Sequence, residues 1–238
     1  MERFLDGKRA IVTGATRGIG RAIAEALLRH GAAVAICGRS ENGVRQAVSE
    51  LGQRTGGRIV GRAADVGDPE QVGAFFRFVD ETLGELDILV NNAGIGIFRP
   101  LPELSLEDWQ RTIDTNLSGA FYCCREALPR FRQRGGGFVI NVSSLAGKNA
   151  VAGGAAYCAS KFGLTGFSET MMLDHRYQDV RVCYIMPGSV DTDFNARARA
   201  PEWKIAPEDV AEVVLLVLRM PERTLISRVE IRPAKPKR

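Results

Sequence analysis

The chain has 238 residues, of which 45% are hydrophobic and 25% charged, and its formal net charge is only +4. This is the make-up of a soluble globular chain with material for one large core. There is no aromatic-basic patch to support nucleic-acid binding, no uninterrupted apolar segment of membrane-spanning length, and no hydrophobic signal-peptide region at the start.

The first apolar run, Ala10-Ile11-Val12-Thr13, predicts a strand over Arg9–Thr13. It leads into Gly14-Ala15-Thr16-Arg17-Gly18-Ile19-Gly20 and then the helical period Ala22, Ile23, Ala26, Leu27. Strand, glycine loop and helix is the setting a dinucleotide pyrophosphate needs, because small residues let the backbone approach and the helix's first N–H groups bind the anion. Here the spacing is Gly-x-x-x-Gly-x-Gly. A second strand, Ala33–Cys37, ends in Cys37-Gly38-Arg39-Ser40, and a third, Arg58–Ala64, in Asp65-Val66. Asp65 is a candidate cap for the helix opening near Pro69 as well as a cofactor contact. A fourth strand over Leu86–Val90 runs into Asn91-Asn92-Ala93-Gly94, and Gly135-Gly136-Gly137 turns into a fifth over Gly137–Val142. Strands at Arg181–Ile185 and Val229–Ile231 complete the series. Near-continuous apolar strands alternating with helices predict a doubly wound α/β fold, a parallel sheet with both faces covered and ligands at its carboxyl edge. No linker or repeat divides residues 1–238, so a single domain is expected.

After the fifth strand come Ser144, Tyr157 and Lys161. Tyr and Lys at i and i+4 share one face of a helix. An ammonium beside a phenol is expected to lower the phenol's pKa from its usual ~10, and a nearby serine hydroxyl can hold a substrate oxygen. Ser143 competes with Ser144 for that part, but the spacing to Tyr157 and the following Leu145-Ala146-Gly147 favour Ser144. The five cysteines, Cys37, Cys123, Cys124, Cys158 and Cys183, form no Cys-x-x-Cys pair and are odd in number, which predicts free thiols and a reducing, cytoplasmic setting. His30 and His175 lack carboxylates at metal spacing and read as structural, so no metal site is expected. The basic tail, Arg228, Arg232, Lys235, Lys237 and Arg238, reads as a solvated terminus.

These motifs together resemble the short-chain dehydrogenase/reductase family, and the similarity runs over nearly the whole chain. Thr13 to Gly20 resembles its Thr-Gly-x-x-x-Gly-x-Gly loop, and Asn91 to Gly94 its Asn-Asn-Ala-Gly motif. Asn116, Ser144, Tyr157 and Lys161 fall where its catalytic tetrad falls, and Pro187-Gly188 matches the turn after its sixth strand. The resemblance implies a Rossmann-type sheet of about seven strands in the order 3-2-1-4-5-6-7. It also implies an oxidoreductase that reduces a ketone or aldehyde, or oxidises the alcohol, with Tyr157 as general acid/base; a 3-oxoacyl thioester is one candidate substrate. Lys161 would tune Tyr157 and hold the nicotinamide ribose, while Asn116 would position a relay water.

Cofactor contacts are expected from Gly14, Thr16, Arg17, Gly18, Ile19, Gly20, Arg39, Ser40, Asp65, Val66, Asn92, Ala93, Gly94, Tyr157, Lys161, Pro187, Gly188, Val190 and Thr192. An acid at the end of the second strand would accept ribose hydroxyls and repel a 2′-phosphate. Gly38 stands in its place, flanked by Arg39 and Arg17, which predicts NADP(H). The substrate should meet Ile95, Phe98, Leu145, Val151, Phe194 and Trp203, under a flap over about 189–205 whose Arg197 and Arg199 could receive a phosphate or carboxylate. The sequence Ser227-Arg228-Val229-Glu230-Ile231-Arg232-Pro233 lacks the family's glycine-rich ending and suggests a truncated or differently paired C-terminus. Helices near 106–131 and 156–176 carry Phe121, Phe162, Leu164, Phe167, Met171 and Met172 on several faces. In similar proteins they form a four-helix bundle, so a homodimer or homotetramer is expected. Two other readings remain open. A dinucleotide-sensing regulator would usually lose the tyrosine or lysine, and a sugar-nucleotide epimerase or dehydratase would need a longer C-terminal region.

Overall fold

Seven parallel strands form one sheet in the order β3-β2-β1-β4-β5-β6-β7. They are β1 (Arg9–Thr13), β2 (Ala33–Gly38), β3 (Ile59–Ala63), β4 (Ile88–Asn91), β5 (Gly137–Val142), β6 (Val180–Pro187) and β7 (Arg228–Ile231). The computed structural model describes residues 2–195 and 203–236. Consecutive strand residues divide between two cores. Val12, Val90 and Ile140 face one side of the sheet, whereas Ile11, Leu89 and Val139 face the other. That two-sided burial is why the strands read as unbroken apolar runs.

The first face is covered by α1 (Gly18–Arg29) and α7 (Pro207–Arg219), through Ile23, Leu27, Val210 and Val214. The second is covered by α3 (Pro69–Leu83) and α5 (Gly119–Arg134), through Phe75, Phe76, Cys123 and Phe131, with Met171 of α6 (Ala155–His175). Full burial of each such side chain stabilises the fold by ~1.5–3 kcal/mol. Local chemistry sets the helix ends. Asp68, not Asp65, caps α3, accepting from the N–H groups of Glu70 and Gln71 ahead of Pro69, while Asp65 accepts from Gly67 in the turn before it. The helix α2 (Glu41–Thr55) is capped by Ser40, and α4 (Leu106–Ile113) by Ser105. Between α4 and α5 the helix widens into one π turn over Asp114–Ser118, with Asn116 buried inside it.

The C-terminus departs from expectation in two ways. Its strand β7 is regularly paired, matching Tyr184–Pro187 of β6 with Arg228–Ile231. Arg228 therefore belongs to the sheet, and Arg232 pairs with Glu230 at 3.0 Å, so only Lys235 of the described tail is a free solvated end. Lys237 and Arg238 lie outside the described residues. At the opposite end, His30 is buried under Phe4, its Nδ1 2.9 Å from the Ala26 carbonyl oxygen, and is structural as expected.

Candidate active site at the carboxyl edge

The sheet reverses direction of growth between β1 and β4, and the crevice at their carboxyl ends gathers the glycine loop and the segment after β4. Thr13 ties the two together: its hydroxyl accepts from the N–H groups of Asn92 and Ala93, both at 3.0 Å. Asn92 returns the link, donating from Nδ2 to the carbonyls of Thr13 and Gly14 at 2.9 and 3.1 Å. Gly14 has φ +63°, and a Cβ there would lie 2.7 Å from the Cα of Ala93, so only glycine fits this crossing. Gly18 and Ile19 open α1 and Gly20 is buried within its first turn; no side chain caps this helix and no acid lies in that turn. Its N–H groups and positive dipole end therefore face an anion position.

Arg17 and Arg39 are both exposed beside this position, and neither is in an ion pair with the described residues. Gly38 is packed against Thr16: a Cβ on Gly38 would come 2.8 Å from the Thr16 methyl carbon. Thr16 thus occupies the space an acidic side chain would cross. The Ser40 hydroxyl is used as the α2 cap, 3.3 Å from the Gly43 N–H. Val66 is buried, its side chain against Gly119, and lines a small cavity with Thr13, Asn91, Ala93 and Asn116. On the other rim, Pro187 ends β6, Gly188 donates its N–H to Ile231 at 2.8 Å, and Val190 bridges to Ile205. Thr192 lies over the glycine loop, its methyl 3.2 Å from where a Cβ of Gly18 would be.

The tetrad residues come from three elements. Ser143 is buried and directed to the Lys161 carbonyl and Thr165, at 3.3 and 3.4 Å. Ser144 is half-exposed after β5 and accepts from the Ala146 N–H at 3.1 Å; its hydroxyl also sits by the Tyr157 phenol, pulling that group's pKa downward. Tyr157 and Lys161 lie one turn apart on α6, with Nζ 5.9 Å from the tyrosine ring centroid. Lys161 is 4% exposed, and Nζ donates to the Val142 carbonyl at 2.9 Å. Burial lowers its pKa to about 8. The expected depression of the Tyr157 pKa is not found: burial raises it, and this outweighs Ser144. The ammonium that was to stabilise a phenolate is itself penalised by burial and turned to a backbone carbonyl.

Asn116 makes a closed set of bonds. Its Oδ1 accepts from the Ile95 N–H at 2.8 Å, and its Nδ2 donates to the Ile95 carbonyl at 2.9 Å and the Ser160 hydroxyl at 3.0 Å. Ser160 in turn donates to the Tyr157 carbonyl at 2.7 Å. Gly94, without a side chain, separates Asn116 from Lys161. Of the six expected substrate contacts, Phe98 and Phe194 flank the Tyr157 ring, at centroid distances of 5.4 and 5.9 Å. Ile95 and Leu145 are half-buried, Leu145 against Gly188. Val151 is exposed in the turn before α6, its N–H 3.4 Å from the Cys158 sulfur. Trp203 is half-buried, and its Nε1 has no partner among the described residues. Arg197 and Arg199 lie outside them.

Three groups at the site were not singled out in the sequence. Thr13 stands in the glycine-loop motif with no sign there of its link to Asn92 and Ala93, Ser160 belongs to no motif, and the buried chain Asn91–Asn141–Ser168, with links of 2.9 and 2.8 Å, ties β4 and β5 to α6. The signal for the last was present: asparagines inside apolar strands must find partners.

Residues 8–203 match the family described as short chain dehydrogenase. The chain belongs to that family. Its chemistry is accordingly the interconversion of alcohols and carbonyl compounds. A 3beta-hydroxysteroid dehydrogenase of Mediterraneibacter gnavus is 38% identical over 201 residues, covering 84% of this chain and 72% of the relative. A D-threitol dehydrogenase of Mycolicibacterium smegmatis is 41% identical over 194 residues, covering 82% and 74%. Among solved structures, the alcohol dehydrogenase from the archaeon Thermococcus sibiricus, complexed with 5-hydroxy-NADP, superposes with a TM-score of 0.90 at 31% identity over 97% of this chain and 99% of that one. A metagenomic short-chain oxidoreductase in complex with NADP gives 0.86 at 37% identity, over 98% and 99%. Among the described residues of this short-chain dehydrogenase, no helix is long and apolar enough to cross a membrane.

Proposed function

We propose that this protein is an NADP(H)-dependent oxidoreductase of small ketones or aldehydes and the matching alcohols, with Tyr157 as its acid and base. The observation that carries the reading is the placement of Ser144, Tyr157 and Lys161 beside an uncapped helix end with two free guanidiniums. The residues fit a phosphorylated dinucleotide. The first turn of α1 offers N–H groups to a pyrophosphate, and Arg17 and Arg39 offer charge-assisted hydrogen bonds to a 2′-phosphate where Gly38 brings no carboxylate. The NADP complexes of the two similar structures support the same choice. Asp65, Asn92 to Gly94, Pro187, Val190 and Thr192 line the rest of that cleft.

Bound NADPH supplies the hydride that the carbonyl carbon takes. The protein does the rest. Ser144 and the Tyr157 phenol hydrogen-bond the carbonyl oxygen, and as charge builds on it Tyr157 transfers its proton, giving the alcohol. Lys161, charged below about pH 8, lies one turn away on α6 with Nζ 5.9 Å from the centroid of the Tyr157 ring. Asn116 acts through the Ile95 backbone and Ser160, holding the loop opposite Lys161 and the start of α6 in register. A flap over about 189–205 completes one domain spanning the chain, and in this reading Arg197 and Arg199 would decide whether an acidic substrate such as a 3-oxoacyl thioester is taken. The five free, buried thiols suit a reducing cytoplasm. The test is a spectrophotometric panel of ketones, thioesters, sugars and steroids with NADPH and NADH. Turnover of at least one carbonyl with a preference for NADPH is expected; no turnover across the panel with either cofactor would count against it.

A further inference from the structure

The side of the cleft in front of Tyr157 is walled by aromatic carbon. Phe98 and Phe194 are tilted 51° and 54° against the tyrosine ring, and both meet over Gly96. A Cβ on Gly96 would stand 2.6 Å from Phe194 and 2.9 Å from Phe98. The φ of Gly96 lies outside the left-handed region, so space rather than backbone conformation demands glycine here. Phe98 and Phe194 are each 41% exposed. Aromatic surface left open around a reacting group is the mark of a ligand wall. Among the described residues, Lys148 pairs with Glu230 at 2.7 Å and Arg99 with Asp108 at 3.7 Å.

We infer that the cleft takes a ketone or secondary alcohol bearing a flat apolar ring system, aryl or fused alicyclic, and that Gly96 sets this preference by letting Phe98 and Phe194 converge on Tyr157. The inference rests on the oxidoreductase reading above. A flat ring meets the two phenyl faces by dispersion and edge-to-face contact and has few torsions to freeze. A polyol in the same place would turn hydroxyls towards ring faces and give up hydration without equal partners.

The test compares 1-tetralone with erythrulose and 2-butanone, each reduced with NADPH by wild type, Gly96→Ala, Phe98→Ala and Phe194→Ala. In parallel, calorimetry measures binding of 1-tetralone and erythrulose to Tyr157→Phe loaded with NADP. Wild type should favour 1-tetralone over erythrulose in kcat/KM by about tenfold or more, the ratio should fall about tenfold in each phenylalanine variant, and Tyr157→Phe should bind 1-tetralone the more tightly. Gly96→Ala should lower the same ratio by moving both rings. Reduction of erythrulose as efficient as that of 1-tetralone, with equal binding, overturns the ring inference and spares the oxidoreductase reading. Tight binding of 1-tetralone to Tyr157→Phe with no turnover of any carbonyl by wild type supports the clamp and overturns the reaction.

Discussion

Two ionisable side chains decide how this site behaves, and burial acts on both in the same sense, against charge. Tyr157 is kept as a neutral phenol, the form that donates a proton in the reductive direction, and Lys161 is brought within reach of neutral pH. In the cofactor-free protein the tyrosinate absorbance of wild type minus Tyr157→Phe should therefore rise only above the ordinary tyrosine range; a transition near neutrality would contradict this. Lys161 also makes a stability prediction. Its pKa falls from 10.5 to about 8 on folding, so between those values the unfolded chain binds more protons than the folded one, and stability gains with rising pH. Below about pH 8 both states carry the charge and the penalty is constant. Relative to Lys161→Met, wild type should gain on the order of 1–3 kcal/mol as pH rises through that window, read from urea midpoints at several pH values. Parallel curves for the two proteins would show that the lysine is not penalised by burial.

At the scale of elements, the end of β2 and the opening of α1 are the pair on which the proposed cofactor preference rests. An exposed arginine alone means little, but Arg17 and Arg39 flank a strand end that brings glycine instead of an acid. NADPH should be preferred over NADH by roughly ten- to a hundredfold in kcat/KM, the worth of one or two charge-assisted hydrogen bonds. Arg39→Ala should weaken NADPH use without improving NADH. Gly38→Asp should shift preference towards NADH, and because its Cβ would crowd Thr16, the shift should be larger in Gly38→Asp with Thr16→Ala. Equal use of both cofactors by wild type would make the arginines surface charges only. Much of this unit was legible in the sequence, since the glycine loop, Gly38 and the arginines lie on contiguous stretches whose geometry is local. The strand positions likewise followed from unbroken apolar runs, and their order from the family resemblance. What stayed hidden depends on distant parts of the chain. The pKa of Tyr157 turns on how deeply α6 is packed, the contact of Thr16 with Gly38 joins two loops, and nothing between Ile95 and Phe98 announces that Phe194 will arrive over Gly96. Asp65 is the cap expected by spacing, and the turn in which it accepts from Gly67 leaves that part to Asp68.

Across the described residues, the fold gathers the glycine loop, Asn92 to Gly94, Ser144, Tyr157 and Lys161 at the carboxyl edge of the sheet and leaves an apolar face on α5 and α6. Phe121 and Phe162 are exposed there, with Phe121 packed edge-on to Phe167, above a groove that also includes Leu128. Of the apolar residues expected on several faces of these helices, Leu164 and Met171 are buried within the chain itself. The remaining patch still suits a second copy, so a homodimer or dimer of dimers should be seen by light scattering at micromolar concentration, and Phe121→Glu with Phe162→Glu should yield monomers. A monomeric wild type would contradict this. The most direct test of the catalytic assignment is Tyr157→Phe, assayed for ketone reduction alongside NADPH affinity. The expected result is a loss of ~10²–10⁴-fold or more in kcat with cofactor affinity nearly intact, because only the proton donor is removed. A variant that keeps most of the wild-type kcat would show that Tyr157 is not the acid.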